Sequence, residues 1–178
     1  MPVILAHDLG TTSNKASLFD DQGRLVASHT EHYPVNYAQA GWAEQDPIDW
    51  WRAVSISTRA LLAETQVHSS DIAAVTFSGQ MMGIVPIDAG GQPLRPAIIW
   101  ADQRAVAEAE TIGAQCGLEQ IYRHTGHRVS PAYLAAKILW VKRHQPDLYR
   151  QVEKFLCAKD FVALKLTGRC ATDYSDAS

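Results

Sequence analysis

A short polar segment near the N-terminus carries the residue types that phosphate and metal chemistry needs. Asp8 and Gly10 precede three hydroxyl side chains, Thr11, Thr12 and Ser13, and apolar runs flank the segment on both sides. We therefore predict a hairpin between two strands, in which backbone N–H groups and hydroxyls bind phosphate oxygens and the carboxylate holds a hydrated Mg²⁺. Gly10 is expected to adopt a positive φ and to let a phosphate approach closely. Taken alone, the same residues also fit an ordinary polar hairpin.

Two further polar segments are candidates for ligand contacts. Residues 78–83 (Ser-Gly-Gln-Met-Met-Gly) follow an apolar run at 72–77, which we predict to be a buried strand. Side chains at the carboxyl end of such a strand commonly contact ligands in α/β folds. Residues 100–104 (Trp-Ala-Asp-Gln-Arg) offer an aromatic face and a carboxylate. An alternative role for Met81 and Met82 is to fill a hydrophobic core.

Hydrophobic periodicity places these segments in a mixed α/β domain. Three strands joined by tight turns are predicted at residues 3–8, 14–20 and 24–32. A helix is expected to begin at Pro47, with Asp46 as its N-cap, and to end near Glu64. A hairpin with strands at 84–88 and 94–100 follows, and the rest of the chain is mainly helical. Its helices are predicted near residues 103–115, 118–124, 132–144 and 159–166, the last with Gly168 as C-cap.

The amino-acid composition limits the classes of protein to which the chain can belong. The 178 residues are 47% hydrophobic and 20% charged, which is typical of a globular chain with a sizeable core. A net charge of −3 without a dense Lys/Arg stripe argues against nucleic-acid binding. Three cysteines without CxxC spacing argue against disulfides or a zinc site, and seven histidines lack metal-ligand spacing. No apolar run is long enough to span a membrane. We expect a cytoplasmic protein with reduced thiols.

Five segments occur in the order and at the spacing typical of one family, the FGGY carbohydrate kinases. They are residues 8–13, 78–83, 100–104, 137–140 and 166–168, and residues 172–178 match as well. The chain resembles this family over essentially its whole length. The resemblance implies a ribonuclease H-like α/β fold of the actin and hexokinase type, with a mixed sheet and flanking helices. Together with the order of the periodic segments, it predicts a three-stranded antiparallel sheet extended by a parallel strand at about 72–78. It further implies that residues 1–178 are the N-terminal part of the first of two domains, so that the fold is incomplete.

The resemblance also implies ATP-dependent phosphorylation of a sugar hydroxyl, with ATP and Mg²⁺ as cofactors. Phosphoryl transfer needs a metal, a phosphate cradle and a base. By resemblance, Asp8 holds Mg²⁺ through water, and the ATP phosphates lie against Gly10, Thr11, Thr12 and Ser13. The expected sugar-binding residues are Gln80, Met81, Met82, Trp100, which packs against a sugar face, and Asp102, which accepts sugar hydroxyls. The catalytic base is expected downstream of this chain.

Several neighbouring residues leave their roles open. Lys15 either adds positive charge near the phosphates or is a solvated strand residue. Arg104 either pairs with Asp102, which we favour, or touches the ligand. A cluster near the end of the chain predicts a helix start, and capping is the expected role of its members, Asp173, Ser175, Asp176 and Ser178.

The substrate loop favours a pentulose such as xylulose. In xylulokinase-like members this loop reads Ser-Gly-Gln-Met-His-Gly, and its Met-His pair touches the sugar. Gln80 and Met81 match, but Met82 replaces the histidine with a thioether that cannot donate a hydrogen bond. A gluconate-type sugar acid is an alternative, because Trp-Ala-Asp-x-Arg also occurs in gluconokinase-like members. Glycerol is disfavoured, because glycerol kinases carry an Arg-Glu pair where this chain has two methionines.

Two other interpretations compete with a sugar kinase. A chaperone-type actin-like ATPase opens with a similar Asp-Leu-Gly-Thr-Thr hairpin, but the segments 78–83, 100–104 and 137–140 favour the kinase. A truncated nucleotide-binding fragment without activity is the other alternative, and the isolated chain is expected to be inactive. The expected partners of the intact protein are a small-molecule sugar and a second copy in a homodimer, with neither nucleic acid nor a membrane.

Overall fold

The computed structural model, which describes residues 2–177, combines eight short strands with seven helices in that range. The strands are β1 (Val3–Leu9), β2 (Ser13–Phe19), β3 (Leu25–His32), β4 (Glu44–Gln45), β5 (Ile72–Gly79), β6 (Val85–Ile87), β7 (Ala97–Ile98) and β8 (Lys154–Leu156). The helices are α1 (Pro47–Thr65), α2 (Val106–Cys116), α3 (Leu118–Thr125), α4 (Leu134–His144), α5 (Pro146–Tyr149), α6 (Ala158–Thr167) and α7 (Tyr174–Ala177).

The chain divides into two compact units. The first contains the residues up to Val35 together with Ile48–Gln80, and the second contains Asn36–Pro47 together with the residues from Met81 onward. In the first unit, four strands form a sheet in the order β3-β2-β1-β5. The first three strands are antiparallel and β5 is parallel to β1. This confirms the predicted antiparallel sheet extended by one parallel strand.

Alternation along β1 gives this sheet one buried and one open face. Val3 and Leu5 lie in a core with Leu18 of β2 and Leu61 of α1, whereas Asp8 is exposed. Successive side chains of a strand point to opposite faces. The helix α1 begins at Pro47, as predicted, and its apolar residues cover the buried face. Asp8 is thereby held at the end of a rigid strand with its carboxylate directed away from the core.

The sequence prediction of a buried strand at 72–77 is wrong in its burial, although the strand itself is present. β5 pairs with β1 at the edge of the sheet, and most of its side chains are exposed, Val75 to 45%. A continuous apolar run is typical of a parallel strand that is covered on both faces. Within residues 2–177, β1 is its one strand neighbour. The run therefore predicts the type of element correctly but not its surroundings.

The second unit contains two small antiparallel pairs of strands, and the predicted hairpin at 84–100 is present in part. The turn is present, since Asp88 N donates to Gln92 O over 3.0 Å. Its two arms are joined by two antiparallel bridges, Ile84 with Ile98 and Ile87 with Pro93. The regular strands of these arms, however, have other partners: β6 pairs with β8, and β7 pairs with β4. Strands of two or three residues carry too little periodicity to be found in the sequence, so these partners were not predicted.

The helices of the second unit agree with the predicted ones. α2, α3, α4 and α6 lie within three residues of their expected bounds, and Gly168 ends α6 with a left-handed φ of +70°. Trp140 and Val141 of α4 pack with Ile84 and Ile98 in the core of this unit. The three cysteines are free, as expected. No helix in the described range is both long and apolar enough to cross a bilayer.

A buried polar cluster lies between the sheet of the first unit and α1. Asn14 donates from Nδ2 to Nδ1 of His7 (3.1 Å) and to the Ser57 hydroxyl (2.8 Å). The other imidazole nitrogen, Nε2, lies 3.3 Å from the Thr58 hydroxyl. Burial lowers the pKa of His7 from 6.5 to about 4, although the hydrogen bond with Asn14 opposes the shift. His7 is therefore neutral in the folded chain at pH 7.

This neutral histidine predicts loss of stability in mild acid. Between pH 6.5 and 4 the unfolded chain takes up a proton at His7 that the folded chain does not, so the unfolding free energy falls with falling pH. The full difference is about 3 kcal/mol, at about 1.4 kcal/mol for each pH unit. Urea unfolding of the wild type and of His7→Gln at pH 7 and pH 4.5 checks this. The variant should lose less stability than the wild type over this interval, and equal losses would contradict the prediction.

Candidate functional site

The polar segment at residues 10–13 forms the turn of the β1–β2 hairpin. Gly10 N donates to Ser13 O over 2.9 Å and closes the turn. Thr12 is exposed, and Thr11 and Ser13 are half-buried. The expectation of a positive φ at Gly10 is wrong, because Gly10 is absent from the residues with positive φ. A Cβ at this position would instead lie 3.2 Å from Ser13 O. The close approach within the turn, not a left-handed backbone, favours glycine here.

Asp8 stands in a row of polar residues across the open face of the sheet. It is paired in register with Lys15 of β2 on one side and with Ser78 of β5 on the other. All three side chains are exposed. Directly opposed residues on neighbouring strands share a face, with Cβ atoms about 5 Å apart. A carboxylate, an ammonium and a hydroxyl are thus combined beside the turn. Ser78 is an addition to the predicted site, and Lys15 is placed where either of its proposed roles is feasible.

Tyr33 holds the hairpin turn from one side and was not predicted from the sequence. Its hydroxyl lies 2.7 Å from Gly10 O and 2.9 Å from Ser13 O, and its backbone N donates to Thr12 O over 3.1 Å. In a trans peptide the C=O and N–H groups point in opposite directions. The Thr11 amide, which shares a peptide with the Gly10 carbonyl, is therefore directed away from Tyr33. The Ser13 amide shares a peptide with the Thr12 carbonyl, to which Tyr33 N donates, so this amide is also directed away from Tyr33. Tyr33 therefore orients the N–H groups that are expected to bind phosphate.

Removing the Tyr33 hydroxyl is expected to weaken nucleotide binding selectively. Burial, and then the charge of Asp8, raise the pKa of Tyr33, so the phenol stays protonated as a donor. One lost hydrogen bond is worth about 1 kcal/mol, or about five-fold in affinity. We expect Tyr33→Phe in the intact protein to bind ATP·Mg²⁺ about five-fold more weakly in calorimetric titration, with unchanged sugar affinity. Tyr37→Phe, at an exposed tyrosine, is the matched control. Equal ATP affinities for Tyr33→Phe and the wild type would contradict this role.

Gln80 directly follows β5, and hydrogen bonds join it to the β1–β2 hairpin. Its backbone N donates to Leu9 O over 2.7 Å, and its side-chain Nε2 lies 3.4 Å from Gly10 O. A Cβ at the preceding Gly79 would lie 3.0 Å from Leu9 Cβ, so the two strands approach each other too closely there for a side chain. The first unit thus brings Gln80 together with the hairpin turn at residues 10–13.

The remaining predicted sugar-binding residues belong to the second unit. Met81 is 39% exposed and Trp100 is 42% exposed, so both offer apolar surface. Met82 is half-buried and has a φ of +63°, a left-handed conformation that is uncommon outside glycine. The exposure of Met81 argues against the alternative role of a core filler.

Asp102 is fully buried and holds the bend of its own segment. Oδ1 accepts from Arg104 N and Nε, both at 2.9 Å, and Oδ2 accepts from Ala43 N (2.6 Å) and Arg104 Nη2 (2.7 Å). The favoured pairing of Asp102 with Arg104 is therefore confirmed. Both carboxylate oxygens are engaged, so a contact with sugar hydroxyls requires that Asp102 give up some of these bonds. The arrangement fits a role in holding the bend that follows Trp100.

Two tryptophan rings and a glutamate hold the Arg104 guanidinium in place. Its Cζ lies 3.5 Å from the ring centroid of Trp42 and 5.0 Å from that of Trp140, and its Nη1 lies 2.7 Å from Glu44 Oε1. Arg95 also pairs with Glu44. Stacking and ion pairing of a desolvated guanidinium restrict its orientation strongly. Trp140, part of one matching sequence segment, thus supports the Trp100–Arg104 segment through Arg104.

A second group of acidic residues has ligand-like spacing but already contains a cation. Cys157, Asp160 and Asp176 are buried close together. The ammonium of Lys159 lies 2.7 Å from Asp160 Oδ1, 2.7 Å from Asp176 Oδ2 and 2.9 Å from Asp173 Oδ2. Because Lys159 neutralises these carboxylates, the group does not fit a metal site.

The predicted helix start near the end of the chain is also present. Asp173 accepts from the backbone N of Ser175 (2.8 Å) and of Asp176 (3.0 Å), which confirms its capping role at α7. Ser178 lies outside the described residues. A cavity of about 580 Å³ in the second unit is lined by residues that include Ile121 of α3, Leu134 of α4 and Phe155 of β8. None of the predicted sugar-binding residues lines it.

Solved structures of sugar kinases share this fold. The gluconate kinase of Lactobacillus acidophilus superposes with a TM-score of 0.92 at 31% identity, covering 99% of this chain and 35% of that one. The ligand-bound xylulose kinase of the same organism gives a TM-score of 0.92 at 30% identity, covering 99% of this chain and 36% of that one. The fold is therefore that of the actin- and hexokinase-like ATPases, of which the chain contains a part.

Sequence comparison gives the family. The model of the FGGY family of carbohydrate kinases, N-terminal domain, matches residues 3–178. The xylulose kinase of Escherichia coli (strain K12) is 40% identical over 172 residues, which are 96% of this chain and 34% of that enzyme. The chain belongs to the FGGY family of carbohydrate kinases. It spans about a third of the length of the curated relatives it matches.

Proposed function

We propose that the intact protein transfers the γ-phosphoryl group of ATP to a hydroxyl of a pentulose such as xylulose. The observation that carries the proposal is the β1–β2 hairpin, in which the exposed Asp8 lies beside a turn whose carbonyls are held by Tyr33. Family membership favours this reaction over a chaperone-type ATPase. A cytoplasmic location, a homodimer and the assignment of residues 1–178 to the first of two domains belong to the same proposal.

Asp8 fits the role of the Mg²⁺-holding residue. An exposed carboxylate at a strand end is the kind of oxygen ligand through which proteins bind a largely hydrated Mg²⁺. When bound, the ion supplies positive charge that neutralises the phosphate oxygens. Gly10, Thr11, Thr12 and Ser13 would then hold those oxygens through backbone N–H groups and hydroxyls.

The sugar is proposed to contact the exposed side chains of the second unit, with Gln80 near the transferred phosphate. Met81 and Trp100 offer apolar surface to the C–H faces of a sugar. Asp102 is proposed to act through the bend that it stabilises, because both of its oxygens are engaged. Met82 occupies the position where xylulokinase-like loops carry histidine, and histidine is among the residue types that tolerate a positive φ better.

A sugar acid such as gluconate is the second candidate substrate. Two observations favour it: the gluconate kinase of L. acidophilus shares the fold at 31% identity, and Met82 lacks the donor expected for xylulose. The Bacillus subtilis (strain 168) gluconokinase is 31% identical as well. The two candidates differ in charge, which makes them separable by kinetics.

A substrate panel on the intact protein tests the proposal. Sugar-dependent ADP release is measured with xylulose, ribulose, gluconate and glycerol, and the highest kcat/KM is expected with xylulose. A higher value with gluconate would select the second candidate, and no stimulation by any sugar would contradict both. Met82→His restores the missing donor. It should raise kcat/KM for xylulose and leave that for gluconate unchanged if the pentulose is the substrate.

A further inference from the structure

Lys137 is a fully buried lysine that the proposed reaction does not use. It lies on α4, its exposed fraction is 0%, and its ammonium forms no ion pair with a carboxylate of residues 2–177. Lys159, by contrast, is surrounded by three carboxylates. Burial lowers the pKa of Lys137 from 10.5 to about 8. The charge of Asp102 opposes this shift without forming an ion pair with the ammonium. A desolvated ammonium without an ion pair costs stability, so its presence calls for another explanation.

The ammonium of Lys137 donates to two backbone carbonyls. One is Met82 O, at 2.7 Å from Nζ, and the other is Ala132 O, in the segment that leads into α4. Helical side chains point toward the N-terminus of their helix, which explains how Lys137 reaches this end of α4. The same end carries the positive pole of the helix dipole, which is unfavourable for a cation. The position of the ammonium at this end of α4 is therefore electrostatically unfavourable, and the two hydrogen bonds form in spite of it.

The Met82 carbonyl belongs to a strained segment. Met82 has a φ of +63°, a conformation that the Cβ of a methionine disfavours. The next residue, Gly83, is buried, and a Cβ there would lie 3.4 Å from Ile98 O. The strained backbone at Met82 thus needs a contact that holds it in place. Lys137 of α4 supplies one through its hydrogen bond to Met82 O.

We propose that Lys137 is a positioning residue, which holds the Met82 carbonyl and so fixes the left-handed turn that presents Met81 and Met82 to the sugar. This inference rests on the proposed role of these two methionines. It predicts that Lys137 affects sugar binding through the backbone of the loop, without contact between its own ammonium and the substrate.

Lys137→Met in the intact protein tests the inference, because it keeps the length of the apolar stem and removes every donor. We expect KM for the sugar to rise about ten-fold while KM for ATP stays within two-fold. Lys137→Arg, which retains donors, should recover part of the sugar affinity. Leu139→Ala removes apolar volume from a half-buried position of the same helix, outside the core that contains Ile84, and should lower stability with both KM values unchanged. Equal rises in both KM values for Lys137→Met would indicate a merely structural role and overturn the proposal.

A double-mutant cycle makes the test specific to the turn. Glycine adopts a positive φ without strain, so in a Met82→Gly background the further effect of Lys137→Met on sugar KM should be clearly smaller than in the wild type. Fully additive effects would contradict the proposal.

Hydrogen exchange separates this inference from the proposed function. In Lys137→Met the amides of residues 81–84 should exchange at least ten-fold faster, with β1 and β2 unchanged, whether or not the wild type phosphorylates any sugar. Unchanged exchange at 81–84 would overturn the positioning role. Absence of sugar turnover in the wild type would contradict the proposed function only. If Lys137→Met fails to fold, the same exchange measurement on Lys137→Gln, whose shorter side chain lacks the reach of the lysine to Met82 O, decides the question.

Discussion

Asp8→Asn in the intact protein should lower kcat for sugar phosphorylation about a thousand-fold. The substitution keeps the shape of the side chain and removes the charge that holds Mg²⁺, which is worth several kcal/mol of transition-state stabilisation. Each 1.36 kcal/mol corresponds to a factor of ten in rate. Because Asp8 is exposed at a strand end, the fold should be retained. Steady-state ADP release at saturating sugar and ATP, with thermal unfolding measured alongside, checks both expectations.

Asp21→Asn provides the matched control for this experiment. Asp21 is an exposed aspartate in the turn between β2 and β3, so it changes the net charge equally without touching the proposed phosphate turn. Its kcat should equal that of the wild type. Sugar-dependent turnover that is unchanged in Asp8→Asn would remove Asp8 from the mechanism.

The isolated 178-residue chain should not phosphorylate sugar at a measurable rate. The chain spans about a third of its relatives' length, and the family resemblance assigns the general base to a downstream segment. Loss of a general base typically costs about 10²–10⁴-fold, and loss of alignment between the two substrates adds to this. A coupled assay on the purified chain, with the intact protein as positive control, measures the difference.

Folding of the isolated chain must be established in the same experiment. Circular dichroism and calorimetric titration with ATP·Mg²⁺ report whether the hairpin sheet and its phosphate turn are intact. Robust sugar-dependent ADP release by the chain would mean that the base lies within its own residues, and would contradict the prediction.

The strands of the first unit could be predicted because their signals are local. β1, β2 and β3 each have seven or eight residues, β1 and β3 alternate in burial, and tight turns join the three strands. The helix α1 begins at Pro47 as expected, since proline suits the first helical position. The parallel addition of β5 was predicted from the order of the periodic segments together with the family resemblance.

Non-local features escaped prediction for physical reasons. The pairing of β6 with β8 joins three-residue strands almost seventy residues apart, and neither strand alone has a period. The burial of β5 depends on what lies beside it, which its own apolar run does not specify. The backbone conformation of Gly10 likewise depends on the approach of the Ser13 carbonyl across the turn.

The candidate site was predicted residue by residue only where a motif exists. Asp8 and the turn at 10–13 are placed together as expected, and Ser78 joins them through sheet register. Tyr33 carries no motif, since one aromatic residue after a strand is common, and its role became visible only through its contacts with the turn. Lys137 was singled out as part of a matching segment, but its link to Met82 spans 55 residues.

A crystal structure of the intact protein with a non-hydrolysable ATP analogue, Mg²⁺ and xylulose tests the central claim most directly. We expect phosphate oxygens within hydrogen-bond distance of the Thr11 and Ser13 amides, with Mg²⁺ linked to Asp8 through water. We also expect the sugar to lie against Met81 and Trp100. Phosphates bound away from residues 10–13, or a sugar bound away from these two side chains, would contradict the central claim.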